Sequence, residues 1–320
     1  MSTPVLPDII RGPAVAIHNG YTFYVAGNIR VNHRRQLDPT PSDMHPLGDT
    51  VASHIVELTF TPVGEIESLA KYLPYGPSNL AAASPFGTSI FGSSDKTTVI
   101  HTLSGTTHTF HRTGILRTPT LNMSPRKTLF GEMAIACLGA SNTQVTDAAY
   151  HKTLASSAFS DTNFDETKVV KDIYTASLGA RATPYDALGA RTGFEFSDGL
   201  VTEEVPDDNV GIADILITDM KPRISFDPNN LSEAEFDALL NIQGADAFKP
   251  GQYVGRGPSG TPEDLVVDSD VLTVTLHNAG ITEAEQGFGK SVDRNGRVTF
   301  MGKSTFTAGV IDPLFTLTVN

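Results

Sequence analysis

Hydrophobic and polar positions follow the same plan in two stretches of this chain, about 166 residues apart. In residues 54–62 (HIVELTFTP), apolar and polar side chains alternate with the period of a half-buried strand. Residues 217–228 (ITDMKPRISFDP) predict a second strand. Each strand ends at a proline and leads into an amphipathic helix, residues 63–73 in the first stretch and 231–242 in the second. The pattern therefore predicts a strand followed by one helix, in two copies.

The elements that follow each helix also repeat. A loop rich in Gly, Pro and Ser comes first, at residues 74–95 in the first copy and 244–264 in the second. Three strand-like runs then close each copy. They span residues 97–112, 114–124 and 128–138 in the first copy and residues 265–279, 281–292 and 297–308 in the second. The order of elements predicts that one domain plan occurs twice.

This plan sets the predicted fold class and its boundaries. We predict a mainly β fold with a minor helical content, built from two tandem β-sandwich domains that are each flanked by one helix. Residues 1–145 form the first predicted domain and residues 191–320 the second. Residues 146–190, rich in Ala, Asp and Thr, are expected to link the two domains, with a candidate helix at residues 148–154.

The second helix has the clearest local start signal. Ser232 and Glu235 have the spacing of a capping box, in which each residue satisfies a backbone N–H of the first helical turn. Leu231 lies where it can pack on Phe236 as a hydrophobic staple. We therefore expect a helix that begins at this point and packs its apolar face on a sheet.

Composition changes the picture in two respects. The chain of 320 residues is 39% hydrophobic, which is enough for two cores. No apolar run approaches the roughly 18 residues of a membrane-spanning helix, so no membrane contact is predicted. Cys137 is the single cysteine, which excludes an internal disulfide. It lies in the apolar run 133–138 and is predicted to be a buried thiol.

The negative charge is concentrated in the second half of the chain. The formal net charge is −13, and residues 161–320 carry 26 acidic side chains against 12 basic ones, whereas residues 1–160 carry 10 against 11. Such an acidic module is a poor direct ligand for DNA, because phosphate contacts need cations. Two interpretations stay open: the charge provides solubility, or it forms a surface that does not retain a passing polyanion.

Histidines are the first candidates for chemistry. Residues His101, His108 and His111 lie on a predicted hairpin that turns at Ser104-Gly105. In that hairpin we expect His101 and His108 to lie opposite each other. A zinc ion would need two further ligands, and no suitable cysteine or carboxylate is close in sequence. We expect these histidines to face solvent or the neighbouring strand.

Other charged residues suggest surface roles. Asp264, Asp268 and Asp270 alternate on a predicted strand edge, where they either bind a cation or protect the edge from pairing. The pair Arg34-Arg35 is either solvated or meets the acidic second half of a neighbouring chain. No nucleophile elbow, P-loop or dinucleotide fingerprint occurs. We predict a protein that is not an enzyme and has no cofactor, no catalytic residue and no metal site.

Two blocks of sequence together resemble the tail tube proteins of long-tailed bacteriophages. They are HIVELTFTPVGEIESLAKYLPY and SIFGSSDKTTVIHTLSGTTHTFHRTGILRTPTLNMSPRKTLFGEMAIACLGA. The shared features are a strand leading into a "TP.GE...L.KY" helix, a "SIFG..DK...IHT..G..HTFHR" hairpin and an "S..KTLFGEM...C.GA" closing strand. The resemblance covers about residues 12–141. The second half resembles the family in element order and in its closing strand, GRVTFMGKSTFTAGV.

The resemblance implies a fold and an assembly. In that family a β-sandwich of two roughly orthogonal sheets is flanked by a helix. The inner sheets of six domains join into a continuous β-barrel ring, and rings stack through loops and arms. Long uncovered strand edges favour such an assembly, because pairing in a closed ring removes them. We therefore expect two tail-tube-like domains in this chain.

The function implied is that of a structural virion protein, the major tail tube subunit of a siphovirus-type phage or prophage. Stacked rings of this subunit would form the conduit for DNA ejection. With a duplicated domain, the expected ring is a homotrimer with pseudo-sixfold symmetry; a homohexamer with an outer decoration is the alternative. Implied partners are the tape measure, tail terminator and distal tail proteins, and double-stranded DNA in transit without specific binding. The expected locations are the virion tail and the host cytoplasm during assembly.

Two sets of residues carry this hypothesis. The expected assembly loop contains Gly76, Ser78, Ser84, Phe86, Phe91 and Ser94. The candidate acidic residues of the lumen are Glu203, Glu204, Asp207, Asp208, Asp264, Asp268 and Asp270. Two other functions remain as alternatives. One is the inner tube of a contractile injection or secretion machine, and the other is a ligand-binding or hydrolytic β-sandwich.

Overall fold

The chain is mainly β in its computed structural model. The described residues are 8–10, 14–39, 49–63, 86–92, 96–102, 105–124, 130–138, 152–156, 175–179, 183–207, 211–239, 263–269, 272–286, 295–303, 306–307, 310–311 and 313–319. They form two large antiparallel sheets, two small sheets of two strands each, and one helix. The predicted fold class, mainly β with minor helix, is confirmed.

The first sheet is built from nine strands of the first half of the chain. They are β1 (Asp8–Ile10), β2 (Ala14–His18), β3 (Tyr21–Pro39), β4 (Asp49–Val63), β5 (Thr97–Thr102), β6 (Thr106–His111), β7 (Thr113–Arg117), β9 (Met133–Cys137) and β10 (Lys152–Ser156). Their order across the sheet is β10-β6-β5-β2-β3-β4-β9-β7, and β1 pairs with β3. The alternation in β4 buries Val56, Leu58 and Phe60 on one face, in a core that includes Phe110 and Ile135.

The second sheet also has nine strands, one of which comes from the first half of the sequence. They are β8 (Leu121–Met123), β11 (Thr175–Leu178), β12 (Leu188–Gly189), β13 (Phe194–Ser197), β16 (Arg223–Phe226), β17 (Glu263–Asp268), β18 (Leu272–Gln286), β19 (Asn295–Met301) and β22 (Phe315–Val319). Their order is β12-β11-β17-β18-β19-β16-β13-β8, with β22 on β18. Its core contains several phenylalanines, and Phe226 stacks on Phe300 with 6.0 Å between ring centroids.

Three further elements complete the described structure. Strands β14 (Leu200–Asp207) and β15 (Gly211–Met220) form a separate hairpin, which we call the outer hairpin. Strands β20 (Phe306–Thr307) and β21 (Val310–Ile311) form another small sheet. Helix α1 (Glu233–Leu239) follows β16.

The two large sheets repeat one pattern of strand pairing. The series β10-β6-β5-β2 in the first sheet matches β22-β18-β17-β11 in the second, and β7-β9-β4-β3 matches β18-β19-β16-β13. The chain turns from one series into the other at Arg112 in the first sheet and at Asn278 in the second. Both residues have a positive φ, 47° and 48°. A register shift then follows Ile115 in one ladder and Ile281 in the other. Strand β18 thus corresponds to β6 and β7 together.

The predicted linker is wrong where the structure describes it. In residues 146–190, β10 pairs with β6 of the first sheet, while β11 and β12 lie in the second sheet. Residues 152–156 are a strand and no part of a helix. These segments are short and rich in small polar residues, so their own pattern is weak. The backbone groups of β6 and β17 decide their conformation by offering a strand to pair with.

Two predicted strands are each divided by a proline. Pro222 interrupts residues 217–228, so that β15 ends in the outer hairpin and β16 lies in the second sheet. Pro119 interrupts residues 114–124, so that β7 lies in the first sheet and β8 in the second. Proline has no N–H to donate to a ladder, and the chain leaves one sheet for another at these points.

The predicted start of the second helix is confirmed. The backbone N–H of Ser232 donates to Glu235 Oε2 at 2.7 Å, and the N–H of Glu235 donates to Ser232 Oγ at 3.4 Å. Leu231 and Phe236 are both buried in the core of the second sheet. The hydrogen bonds to Ser232 lower the pKa of the Glu235 carboxyl. The first predicted helix, residues 63–73, lies outside the described residues beyond Val63.

Candidate assembly surface

The first half of the chain is joined to the second through residues 86–92, which run along β15. The N–H of Gly87 donates to the carbonyl of Ile217 at 2.8 Å, and the N–H of Ile217 donates back to the carbonyl of Thr88 at 2.9 Å. The N–H of Ile90 donates to the carbonyl of Ile215 at 3.0 Å. Strand β15 therefore pairs with a segment of the first half on one side and with β14 on the other.

A small apolar core lies beneath this junction. It joins Ile90 and Phe91 of the first half to Ile215 and Ile217 of the second, and Ile55 of β4 belongs to the same cluster. These side chains are all at most 2% exposed. The outer hairpin therefore covers the face of the first sheet that points away from its own core.

Polar contacts surround that apolar core. Ser89 Oγ donates to Asp214 Oδ1 at 2.6 Å. The guanidinium of Arg112 donates to the carbonyl of Ala213 at 2.7 Å, and its carbon lies 5.7 Å from the centroid of the Phe91 ring. Arg112 thus connects the turning point of the first sheet to the outer hairpin. A planar cation suits this position, because it stacks on a ring and donates at the same time.

The predicted assembly loop is only partly described, and one of its residues is not available to a neighbouring chain. Phe91 is 2% exposed and packs within its own chain, so the single subunit does not present this side chain to a neighbour. Phe86 is 40% exposed at the beginning of the same segment. The other four residues, Gly76, Ser78, Ser84 and Ser94, lie outside the described residues. The pattern of Gly, Ser and Phe in this part of the sequence does not predict that residues 86–92 pair with β15.

A second junction carries a strand of the first half into the second sheet. Strand β8 pairs with β13, and Leu121 and Met123 are buried in the core of the second sheet together with Phe130. Gly193 has φ +90°, and a Cβ at this position would come within 2.6 Å of the carbonyl oxygen of Met123. Glycine therefore allows the close approach of β8 at this end of the ladder.

A buried hydrogen bond fixes the entry to that junction. Thr118 Oγ1 donates to Asp198 Oδ1, which also accepts the N–H of Leu200 at 3.2 Å. Asp198 is 5% exposed and lies between β13 and the outer hairpin. One carboxylate therefore holds both the strand that enters the second sheet and the start of the hairpin that covers the first.

The four candidate lumen residues whose side chains are described lie in two different sheets. Glu203 and Glu204 are exposed on β14, and Glu204 makes an ion pair with Arg34 of the first sheet. The basic residue therefore meets the acidic second half within one chain. Asp207 lies in β14. Asp208 and Asp270 lie outside the described residues.

Asp264 and Asp268 form hydrogen bonds within the chain, and the prediction that they lie on a strand edge is wrong. Strand β17 is an interior strand between β11 and β18. Asp264 accepts the N–H of Asn278 at 3.0 Å and lies 3.1 Å from His277 Nδ1, so it stabilises the turning point of β18. Thr273 Oγ1 donates to the exposed Asp268.

The hairpin of histidines forms, but in a register one residue away from the expected one. Strands β5 and β6 flank Gly105, which has a positive φ. His101 lies opposite Thr107, and His108 lies opposite Ile100. Because side chains alternate between the faces of a sheet, a shift of one residue separates the two histidines. Among the described residues, no group of three or more His, Cys, Asp or Glu side chains is placed to hold a metal ion.

A buried polar cluster, which the sequence analysis missed, lies beside that hairpin. His18 Nδ1 is 2.9 Å from Thr98 Oγ1 and 3.3 Å from Thr113 Oγ1, and the Thr98 hydroxyl donates to Thr113 at 2.9 Å. Burial, together with the charge of the nearby Lys96, lowers the pKa of His18 to about 4. Burial also raises the pKa of the Cys137 thiol, which is fully buried as predicted.

The second sheet has apolar side chains at the positions of this cluster. By strand pairing, His18 corresponds to Leu178 and Thr98 to Leu265, since each pair lies opposite one another in the matching ladders. Thr113, directly after the turning point of the first sheet, corresponds to Ala279. Leu178, Leu265 and Ala279 are all at most 1% exposed. The polar cluster therefore distinguishes the first half from the second.

The chain was compared with known proteins. No model of a protein family matches it, and a search of curated proteins finds no similar sequence either. In the part of the chain that the structure describes, no helix is long and apolar enough to cross a membrane.

Proposed function

We propose that this chain is a structural subunit of a phage tail tube, which polymerises into stacked rings that conduct DNA. The resemblance of residues 12–141 to tail tube proteins motivates the proposal. The observation that carries it is the repeated strand network. Two sheets with the same strand order, turning point and register shift occur in one chain and are connected through β8 and the outer hairpin.

The junction between the two sheets suggests how a ring is built. The first half gives β8 to the second sheet, and the second half gives the outer hairpin to the first sheet. If the second half of one copy contacts the first half of the next copy in the same way, the halves follow one another around a closed ring. Three chains with two equivalent halves each then give a pseudo-sixfold ring. We favour this trimer over a hexamer, because both halves have the same pairing pattern.

The acidic second half agrees with a conduit for DNA. Glu203 lies exposed on β14, and neutral or negative walls let a polyanion pass without binding. The charge acts only within about 10 Å at 0.1 M salt.

Negative-stain electron microscopy of the purified protein tests the proposal. We expect rings with six lobes and tubes made of such rings, and a ring mass of three chains by light scattering. A ring of six chains would favour the hexamer. A protein that remains monomeric at high concentration and after prolonged incubation would contradict the tube function. The same preparation, incubated with double-stranded DNA at physiological salt, is expected to show no retention of DNA.

A further inference from the structure

The edge of β13 is filled by a strand from outside its own half. Strand β8 pairs there in antiparallel orientation, with Leu121 opposite Phe196 and Met123 opposite Phe194. Both side chains are buried, at 1% and 0% exposure. The second sheet therefore gains its last strand, and part of its core, from the first half of the chain.

The corresponding edge in the first sheet is that of β3. Val31 of β3 pairs with Leu58 of β4, as Phe196 of β13 pairs with Ile224 of β16. Leu58 and Ile224 in turn lie opposite equivalent residues of β9 and β19. The correspondence of β3 with β13 therefore holds residue by residue across three strands.

In this chain the β3 edge is filled by β1. Asp8 lies opposite Val31 and Ile10 opposite Ile29, again in antiparallel orientation. Asp8 thus occupies the register position of Leu121, and Ile10 occupies that of Met123. Strand β1 therefore occupies in the first sheet the position that β8 occupies in the second. The direction and the register are the same in both.

The two strands differ in how well they fit that place. Strand β8 has an apolar residue at both of these register positions, whereas β1 has Ile10 at the position of Met123 and Asp8 at that of Leu121. Aspartate is among the residue types that are depleted in strands, and leucine brings more apolar surface to such a pairing. Strand β1 is therefore the weaker occupant of an edge that suits a strand with two apolar side chains.

We propose that the β3 edge at residues 29–31 accepts a strand from the second half of another copy of this chain, and that β1 is a placeholder that leaves on assembly. The inference rests on the proposed ring, in which the junction between halves recurs between chains. Until then β1 protects the edge, since an open strand edge pairs with any available strand.

A reversible disulfide between β1 and β3 tests this exchange. Ile9 and Arg30 lie directly opposite each other, and opposed residues of an antiparallel pair are within the range that a disulfide spans. The variant Ile9→Cys/Arg30→Cys locks β1 in place when oxidised. The matched control is Thr175→Cys/Asp268→Cys, an opposed pair between β11 and the interior strand β17. Cys137 is buried and is left unchanged.

Assembly is measured by light scattering and negative-stain microscopy, in oxidising buffer and after reduction. We expect the oxidised lock to form no rings or tubes, the reduced lock to assemble like the wild type, and the control to assemble in both buffers. Tubes from the fully oxidised lock would overturn the inference while leaving the tube function intact. A wild-type protein that never assembles would overturn both.

A second pair of variants tests whether β1 leaves the β3 edge on assembly or itself joins two copies. Ile10→Asp removes the buried side chain of Ile10 from β1, and Met123→Asp makes the same change at the equivalent position of β8. We expect Ile10→Asp to keep its β content by circular dichroism and to shorten the lag of assembly several-fold, whereas Met123→Asp slows assembly. If Ile10→Asp is folded but no longer assembles, β1 itself joins the copies and the inference is wrong.

Discussion

The substitution His18→Leu tests the effect of the buried polar cluster on stability. Leucine is the residue at the equivalent position of the second sheet, Leu178. In the wild type, His18 is held neutral by burial and by the charge of Lys96, with a pKa of about 4 against 6.5 for an exposed histidine. Leucine has no titrating group, so the variant removes this pH dependence.

The direction of the effect follows from the two pKa values. As the pH falls below 6.5, the unfolded chain binds a proton at His18, whereas the folded chain does so only near pH 4. Stability that is fully present above pH 6.5 is therefore lost as the pH falls through this window. Linkage gives a loss of about 2 kcal/mol by pH 5 and about 3 kcal/mol below pH 4.

Urea unfolding at pH 8 and pH 5 measures this loss. We expect the wild type to lose about 2 kcal/mol more than His18→Leu between the two pH values, which corresponds to roughly 1 M in the urea midpoint. All other titrating groups are common to both proteins and cancel in the comparison. Equal losses in the two proteins would refute the argument that burial holds His18 neutral.

The converse substitution is a control for the role of the threonines. Leu178→His places a histidine where Leu265 and Ala279 offer no hydroxyl. We expect this variant to be less stable than the wild type at pH 8 and to lose further stability at pH 5, because a buried polar group without a hydrogen bond is costly. A neutral outcome at both pH values would mean that the second core admits water or rearranges.

Three other substitutions test particular contacts. Ile217→Ala is expected to cost about 2–5 kcal/mol and to increase proteolysis of the outer hairpin, because it opens a cavity in the small core beneath it; unchanged digestion would contradict this. Asp264→Ala leaves the N–H of Asn278 without its acceptor and is expected to cost about 1–3 kcal/mol in urea unfolding, whereas Asp264→Asn should cost less. Ser232→Ala removes the helix cap and is expected to cost about 1 kcal/mol, detected as a lower thermal midpoint, and a midpoint equal to the wild type would count against the cap.

Local features of the fold were predictable from the sequence. The alternation in β4, the hairpin around Gly105 and the capping box of Ser232 and Glu235 depend on residues that are close in the chain. Their backbone conformations follow from side-chain period and turn chemistry. The repeated order of elements was also present in the sequence, and the strand pairing of the two sheets has a matching order.

Strand partners and register were decided only by the tertiary structure. The local sequence of Leu121–Met123 does not indicate that this strand joins the second sheet. Likewise, the sequence of residues 86–92 does not indicate that they pair with β15. The hairpin of His101 and His108 illustrates the same limit, because a shift of one residue reverses which face each side chain occupies.

The polar cluster around His18 could not be predicted from the sequence. A lone histidine and two threonines, 80 and 95 residues away, carry no shared signal until the sheet brings them together. The sequence by itself determined the mainly β class, the repeat and the cap of α1, since these arise from short-range patterns of side chains. The tertiary structure decided which edges meet, because each strand edge offers the same backbone groups and only packing of the whole chain selects the partner.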